Sequence, residues 1–338
     1  MSTAIPSREV AQVTRPTVIA QDRQRVRELQ NYALFNPVEA FVARSGKRIR
    51  QSLVQLSYRI AGGLGEAPDC LAKSIELLHA GALVIDDIQD DSNARREQST
   101  MHRKIGLPLA INAGNWMYFA ALEELTRSNL SPKLKHQLIS RMVAAGRQCH
   151  EGQACDLAAR VDQLMPANYW SLATSISRQK TGCLVSLATT FGAVAADADL
   201  RTRRALSRFG MEIGVALQMR NDLAELVSLV RNGYESIRCD DLLNARVTWP
   251  WAWAARYGQP DEVDRCLRFI ANSPKDTAVL VQVAARLLKV VSVKGNKIIR
   301  RRIDRNVERL ADVSCDCGAL ESLRVGLQCI SRRQSTKE

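Results

Sequence analysis

The segment Glu76–Arg96, ELLHAGALVIDDIQDDSNARR, contains the feature that decides the fold. Apolar residues recur in its first half at spacings of three and four, which predicts a buried helix over about 69–92. On such a helix Asp86 and Asp90 lie one turn apart on one face, with Asp87 beside them. Clustered carboxylates need a cation, and Mg²⁺ is a hard ion bound through a few carboxylates. The alternative is a solvated acidic helix end.

Basic side chains flank the acidic cluster. Arg95 and Arg96 follow it directly, and guanidinium groups pair well with phosphate oxygens. His79 precedes Asp86 by two helical turns on the same face, so we expect it to point into the same cavity. The pattern predicts a site for a polyanion that is bridged by metal on one side and paired directly on the other.

The rest of the chain shows the same helical period. The 338 residues are 46% hydrophobic and 25% charged, which is enough to bury a large core. No convincing strand alternation is present, and Pro and Gly separate the predicted helices. We predict an all-α protein with a flexible N-terminal tail over 1–20 and one helical domain over 21–335. Further helices are expected at about 21–33, 38–61, 107–128, 132–160, 167–195, 199–231, 239–256, 261–271, 275–292, 296–313 and 318–331.

The formal net charge of +13 raises the question of nucleic-acid binding. Basic residues are spread over the N-terminal third, the Arg95–Arg96 pair and the stretch Lys294–Arg309. Aromatic residues do not interleave with them as a base-stacking surface would require. We therefore expect solvated helix faces and a few anion sites rather than a nucleic-acid partner.

The nine cysteines are scattered, and the four histidines form no metal-ligand spacing with them, so neither a disulfide framework nor a zinc site is expected. The longest uncharged run, Thr181–Ala196, is shorter than the roughly 20 residues that a membrane span requires. It predicts a buried helix rather than stable membrane insertion. The N-terminus has no apolar stretch of signal-peptide length, so a cytoplasmic location is expected.

Several motifs occur together in one order. They are Gly46-Lys47-Arg48-Ile49-Arg50, the Asp86–Asp90 cluster, INAGNWMYFAALEEL, HEGQACDL with Gln153 and Asp156, and RQKTG with Lys180 and Thr181. Over roughly residues 37–255 the chain resembles the trans-prenyltransferase (polyprenyl synthetase) family. Within it, the chain is most similar to geranylgeranyl diphosphate synthases of the eukaryotic type.

The resemblance implies an isoprenoid synthase helical bundle around a central cavity, forming a homodimer that serves isoprenoid and terpenoid biosynthesis. It implies that isopentenyl diphosphate is joined to an allylic diphosphate, farnesyl diphosphate being the expected one, with two or three Mg²⁺ ions per active site. Asp86, Asp90, Lys180 and Arg95 would be catalytic. The metal ligands would be Asp86, Asp87, Asp90, Asn221, Asp222 and Glu225. The substrate-binding set would be Lys47, Arg50, His79, Arg95, Arg96, Lys180, Thr181, Gln218 and Arg246.

The second metal motif departs from the family pattern. Where the family has a second DDxxD, this chain has Asn221 at the first position and Glu225 at the last, with Asp222 between them. Asn221 is a neutral ligand, and Glu225, one turn later, could restore a carboxylate. The family's nearby lysine is matched by Arg246, which keeps the charge but changes its geometry.

Product length is expected to depend on the wall below the first motif. Gly81 and Ala82 precede Asp86 by about one turn, and both are small. In this family a bulky aromatic at either place resembles a stop at fifteen carbons. Three larger residues match positions that resemble the floor of the product pocket in eukaryotic-type geranylgeranyl synthases. They are Tyr118, Phe119 and His150. A twenty-carbon product is therefore expected.

The sequence is also compatible with two other functions. A class I terpene cyclase shares the helical fold and the metal chemistry, and Asn221-Asp222-Leu223 resembles the start of its second metal motif. The second alternative is a non-catalytic regulatory subunit of a heteromeric synthase, because Asn221 could mark loss of the metal site.

Overall fold

The computed structural model describes residues 15–43, 49–95, 98–233, 239–272 and 276–332. Fifteen α-helices account for most of these residues: α1 Arg15–Gln30, α2 Asn36–Ala43, α3 Ile49–Ile60, α4 Asp69–Gln89, α5 Met101–Ile105, α6 Leu107–Thr126, α7 Pro132–Ala158, α8 Tyr169–Ser177, α9 Cys183–Ala195, α10 Leu200–Asn232, α11 Asp240–Leu243, α12 Trp249–Tyr257, α13 Pro260–Asn272, α14 Thr277–Glu308 and α15 Cys317–Arg332. Short π-helical turns cover Asn31–Phe35 and Arg178–Gly182, and 3₁₀ turns cover Pro166–Asn168 and Ala311–Val313. The predicted all-α class is confirmed.

Helix α9 lies at the centre of the core. It has no charged residue, and the side chains on nearly all of its faces are buried, as predicted for the uncharged run Thr181–Ala196. Around it lie α3, α7 and α10, whose apolar residues join the same buried cluster. An apolar helix surrounded in this way gives the bundle its main hydrophobic stabilisation.

Helix α10 approaches the π-helical turn Arg178–Gly182 closely. A Cβ atom on Gly214 would lie 2.5 Å from the Cα atom of Gly182, so neither position has room for a larger residue. This approach brings Thr181 beside Gln218 on α10. The glycine pair therefore positions part of the candidate site.

Two predicted helix boundaries were wrong. The expected break between 292 and 296 does not occur, because Gly295 continues α14 and packs against the ring of Trp253, from which an added Cβ would lie only 2.6 Å. The expected helix over 239–256 is instead split into α11 and α12. Ala245, in the connecting segment, has a φ of 53°, in the left-handed region that a helix cannot contain.

The N-terminal part also differs in detail from the expectation. Helix α1 begins at Arg15, so residues 15–20 of the stretch predicted as a tail are helical, and residues 1–14 lie outside the described residues. Two short antiparallel strands that were not predicted, β1 Ala94–Arg95 and β2 Gln98–Ser99, follow α4. Within the described ranges, none of the helices combines the length and apolar character needed to cross a membrane.

Candidate active site

Asp86 lies at the C-terminal end of α4, where side chains from two other helical segments reach its carboxylate. Lys180 Nζ is 2.9 Å from Oδ1, Gln153 Nε2 on α7 donates to the same oxygen at 3.0 Å, and Arg95 Nη2 is 3.6 Å from Oδ2. Burial alone would raise the pKa of Asp86, but Lys180 and Arg95 more than offset this and hold it below its ordinary value. Asp86 is therefore an ionised carboxylate beside two cations.

Asp87, which was predicted to bind metal, lies against Arg95. It is 2% exposed, and both of its oxygens accept hydrogen bonds from Arg95 Nε at 2.8 and 2.9 Å. Burial raises the pKa of Asp87, although Arg95 opposes the shift. Asp87 therefore anchors Arg95. The guanidinium group of Arg95, which was predicted to bind substrate, is paired with this protein carboxylate.

Asp90, one turn beyond Asp86, pairs with Arg246. Arg246 Nη2 lies 3.2 Å from Asp90 Oδ1, and Nη1 donates to the main-chain oxygens of Asp156 and Leu157 at the end of α7. Burial, followed by the charge of Asp86, raises the pKa of Asp90 to about 6. Arg246 is 7% exposed, so it joins α4, α7 and the segment before α12 from within the protein.

Lys180 lies in the π-helical turn between α8 and α9. Its ammonium group bridges two carboxylates, at 2.9 Å from Asp86 and 2.7 Å from Asp156. Burial opposes the charged form, but the two aspartates raise the pKa of Lys180 above its ordinary value. The turn widens the helix at this point, and π-helical turns are frequent at functional sites.

A chain of hydrogen bonds links this turn to the second motif. Thr181 Oγ1 donates to Gln218 Oε1 at 2.6 Å, and Gln218 Nε2 donates to Asp222 Oδ1 at 2.7 Å. Asp222 Oδ2 accepts from the backbone N–H of Trp249 at 3.0 Å. Asp222 is 5% exposed, and burial raises its pKa to about 7. Gln218 and Asp222 therefore form one ordered unit with Thr181.

The other two residues of the second motif, Asn221 and Glu225, lie in different surroundings. Glu225 is hydrogen-bonded to Cys239 and Asp241, and burial raises its pKa. Burial also raises the pKa of Asp241 well above its usual range, with Glu225 and Asp222 adding to the shift. Asn221 is exposed, and its Oδ1 accepts from Arg220. The structure brings Glu225 toward Asp241 and leaves Asn221 at the surface of α10.

Asp156 and Asp241 were not among the residues predicted for the site. Asp156 stands in the quoted HEGQACDL motif, and its spacing from Glu151 and Gln153 did not indicate that it would pair with Lys180. Asp240 and Asp241 form an adjacent acidic pair just before Arg246, which was the available signal. Asp240 accepts a hydrogen bond from Ser92 at 2.5 Å and so joins the end of α4 to α11.

The structure describes two of the four residues that were predicted to bind isopentenyl diphosphate. Arg50 is half-buried near the start of α3, and His79 is half-buried on α4, two turns before Asp86. Lys47 and Arg96 lie outside the described residues.

Of the five residues predicted to set product length, Tyr118 and His150 are in direct contact. Tyr118 on α6 and His150 on α7 meet edge to face, with ring centroids 5.5 Å apart and planes at 81°. Phe119 is 72% exposed. A Cβ on Gly81 would lie 2.8 Å from the carbonyl oxygen of Gly114, so Gly81 packs against α6. Ala82 is half-buried on the face of α4 that carries Asp86.

The carboxylates are not arranged as a closed metal centre. Within the described ranges, no group of three or more His, Cys, Asp or Glu side chains is positioned to hold a metal ion. The oxygens of Asp86 and Asp90 contact Lys180 and Arg246 instead. Oxygen ligands of this kind suit Mg²⁺ or Ca²⁺ once a ligand such as a diphosphate completes the shell.

The bundle and its site define an all-helical protein in which paired carboxylates and buried cations meet at the ends of several helices. The Polyprenyl synthetase family model matches residues 31–287. The chain belongs to this family, as its motifs predicted.

Similar proteins are named as isoprenyl and geranylgeranyl diphosphate synthases. The chain is 31% identical over 208 residues to the short chain isoprenyl diphosphate synthase of Methanocaldococcus jannaschii, a match covering 59% of this chain and 61% of that protein. It is 35% identical over 188 residues to the geranylgeranyl diphosphate synthase of Sulfolobus acidocaldarius, covering 54% and 55%. A polyprenyl synthase from Caulobacter crescentus, complexed with calcium and isoprenyl diphosphate, superposes with a TM-score of 0.74 at 22% identity over 94% of this chain and 97% of the other. This last likeness shows the fold.

Proposed function

We propose that this protein is a prenyltransferase that condenses isopentenyl diphosphate with an allylic diphosphate to give geranylgeranyl diphosphate and pyrophosphate. One observation carries the proposal. Asp86 near the end of α4 and Asp90, one turn later at its C-cap, are each paired with a cation from a distant segment, Lys180 at 2.9 Å and Arg246 at 3.2 Å. A diphosphate bridged by metal to the acids and contacted by these cations satisfies both sets of charges.

The residues present fit a divalent cation. Asp86 and Asp90 offer carboxylate oxygens at the end of α4, and Asp222 and Glu225 of α10 lie close enough to Asp241 for their charges to affect one another. The raised pKa values of Asp222, Glu225 and Asp241 reflect negative charge that is crowded and buried, which a cation would relieve. When bound, Mg²⁺ would neutralise charge on the departing pyrophosphate.

The protein's own groups would perform the remaining tasks. Lys180 and Arg246 would exchange part of their contact with the aspartates for the allylic diphosphate, and Arg95, fixed by Asp87, would hold Asp86 in place. Thr181 and Gln218 would keep Asp222 oriented through their hydrogen-bond chain.

Isopentenyl diphosphate would be bound by a second basic group, Lys47, Arg50, His79 and Arg96. The pyrophosphate released would accept the proton lost from the condensed product, so no side-chain base is required. Apolar walls would protect the carbocation from water.

A twenty-carbon product is supported by two features of α4 and its neighbours. Ala82 lies on the Asp86 face one turn deeper and is too small to stop the chain early. The edge-to-face pair of Tyr118 and His150 supplies a barrier further in. Curated relatives include synthases named for short-chain, geranylgeranyl and, in Aeropyrum pernix, geranylfarnesyl products, so product length is argued from these residues.

The cyclase alternative is weakened by a buried residue. Leu229 stands where the cyclase motif needs its last acid, and it is 0% exposed in the core. The regulatory-subunit alternative is weakened by the intact pairing of Asp86, Asp90 and Lys180. Neither alternative is favoured by a contact among the described residues.

We also propose that the protein forms a homodimer and acts in the cytoplasm. Ile111 and Phe119, two turns apart on α6, are 40% and 72% exposed, and Tyr32 is 75% exposed. Large apolar side chains on one helix face are typical of a protein interface.

Product analysis tests the proposal. The protein is incubated with Mg²⁺, labelled isopentenyl diphosphate and geranyl or farnesyl diphosphate, and the dephosphorylated products are sized by chromatography. A twenty-carbon alcohol is expected. Cyclic hydrocarbons formed without isopentenyl diphosphate would indicate a cyclase, and a lack of product with every primer would indicate a regulatory subunit.

A further inference from the structure

A second basic cavity lies away from the candidate active site, between the N-terminal part of α10 and the C-terminal part of α14. Its volume is about 610 Å³, within the range of small-molecule sites. Its lining contains four arginines and one acidic residue, Asp312. The arginines are Arg201, Arg204, Arg208 and Arg309. Arg208 precedes Gln218 by ten residues, which is about 15 Å along the helix axis. The two sites therefore do not share residues.

The three arginines of α10 occupy one face of the helix. Arg201, Arg204 and Arg208 follow one another at spacings of three and four, so their guanidinium groups are neighbours. Like charges at these spacings repel each other and destabilise a helix. In the described part of the chain, no ion pair or hydrogen bond neutralises Arg204, Arg208 or Arg309.

Other arginines on the same two helices do have acidic partners. Arg203 of α10 contacts Asp197 at 2.9 Å, and Arg302 of α14 contacts Glu212. Arg301 and Arg305 of α14 also have no ion-pair partner among the described residues, so the cavity is distinguished by the gathering of four arginines around one concave surface. An excess of unneutralised cations around a concave surface is the arrangement that binds a multiply charged anion.

The lining also has an apolar part. Phe209 and Leu310, which are 2% and 1% exposed, belong to the core and border the cavity. Leu200 is 61% exposed at its edge. Guanidinium groups favour phosphate because they can donate two parallel hydrogen bonds to it. A phosphate group attached to an apolar moiety matches both parts of the lining.

We propose that this arginine cavity is a second, non-catalytic binding site for a phosphate-bearing ligand of the phosphate-ester or diphosphate class. It gives a role to part of the +13 net charge and of the basic stretch Lys294–Arg309, which the candidate active site does not use. The proposal does not depend on the reaction that the active site carries out.

Titration calorimetry with inorganic pyrophosphate, in the presence of a chelator, provides the first test. The variant Arg204→Glu with Arg208→Glu is compared with the matched control Lys297→Glu with Arg301→Glu, two exposed residues of α14 outside the cavity that give the same change in charge. We expect the cavity variant to lose one class of pyrophosphate site, or at least about tenfold in its affinity, while the control retains it.

Circular dichroism and turnover show whether each variant is folded, and both are expected to match the wild type because all four residues are exposed. If the charge-reversal variant does not fold, Arg204→Gln with Arg208→Gln replaces it.

Flotation with vesicles of phosphatidylglycerol, against phosphatidylcholine, distinguishes a lipid headgroup from a free phosphate. Binding to the anionic vesicles that only the cavity variant loses would support the site and identify the headgroup as the source. If pyrophosphate and vesicles bind the cavity variant and the control equally, or bind neither the wild type nor the variants, the proposal is overturned.

Discussion

Replacement of Lys180 by Met should affect stability and activity in separable ways. The ammonium group lies between Asp86 and Asp156, and the three side chains are 26%, 21% and 15% exposed. Without it, two half-buried carboxylates face each other with no cation at hydrogen-bonding distance from both. Breaking a fully buried pair costs about 3–5 kcal/mol, and partial exposure reduces this, so we expect about 2–3 kcal/mol of lost stability.

The measurement is urea unfolding followed by circular dichroism. Arg147→Met is the matched control, since its pair with Glu151 is on the surface, with side chains 72% and 47% exposed, and should contribute less than about 0.5 kcal/mol. The double variant Lys180→Met with Asp156→Asn removes one of the opposed carboxylates and should recover much of the stability. Turnover should fall by about 10³-fold in both Lys180 variants, because the cation for the diphosphate is gone in each.

Equal unfolding free energies for Lys180→Met and Arg147→Met would refute the reasoning on stability. Recovery of turnover together with stability in the double variant would show that Lys180 acts only through the fold.

Three further predictions concern the metal motifs and product length. Asp86→Ala should abolish turnover while circular dichroism stays unchanged, because several kcal/mol of transition-state stabilisation is lost with a metal ligand; near wild-type turnover would contradict this. Asn221→Asp should shift the Mg²⁺ titration of activity to lower concentration and Glu225→Gln to higher concentration, and superimposable curves would exclude this segment as a metal site. Ala82→Phe should shorten the product to fifteen carbons, as measured by chromatography. Gly81→Phe should mainly lower the melting temperature, because the new side chain would meet the α6 backbone. A twenty-carbon product from a stable Ala82→Phe protein would contradict the assignment of Ala82 to the wall of the chain pocket.

Local spacing was enough to predict the first motif. Asp86 and the C-cap residue Asp90 lie one helical turn apart, so a separation of four residues defines their common face without knowledge of the rest of the fold. The same argument predicted α4 and the buried run that became α9. Lys180 was identified through the family resemblance, but its bridge to Asp156 depends on how α7 packs against the π-helical turn.

Contacts between distant segments account for what the sequence could not predict. Asp87 pairs with Arg95 of strand β1, a strand that the sequence did not predict. Phe119 is next to Tyr118 in sequence, but adjacent helical residues point about 100° apart, and only Tyr118 reaches His150. The arginine cavity combines Arg208 with Arg309, and nothing in the separate segments indicates that they meet.

The central claim is that two diphosphates react in one site, and the release of pyrophosphate tests it most directly. Pyrophosphate is measured continuously with a coupled enzyme while Mg²⁺, isopentenyl diphosphate and farnesyl diphosphate are supplied separately and together. We predict release only when all three are present, with one pyrophosphate for each isopentenyl diphosphate consumed. Release from farnesyl diphosphate and Mg²⁺ alone, at a rate that isopentenyl diphosphate does not change, would contradict the account.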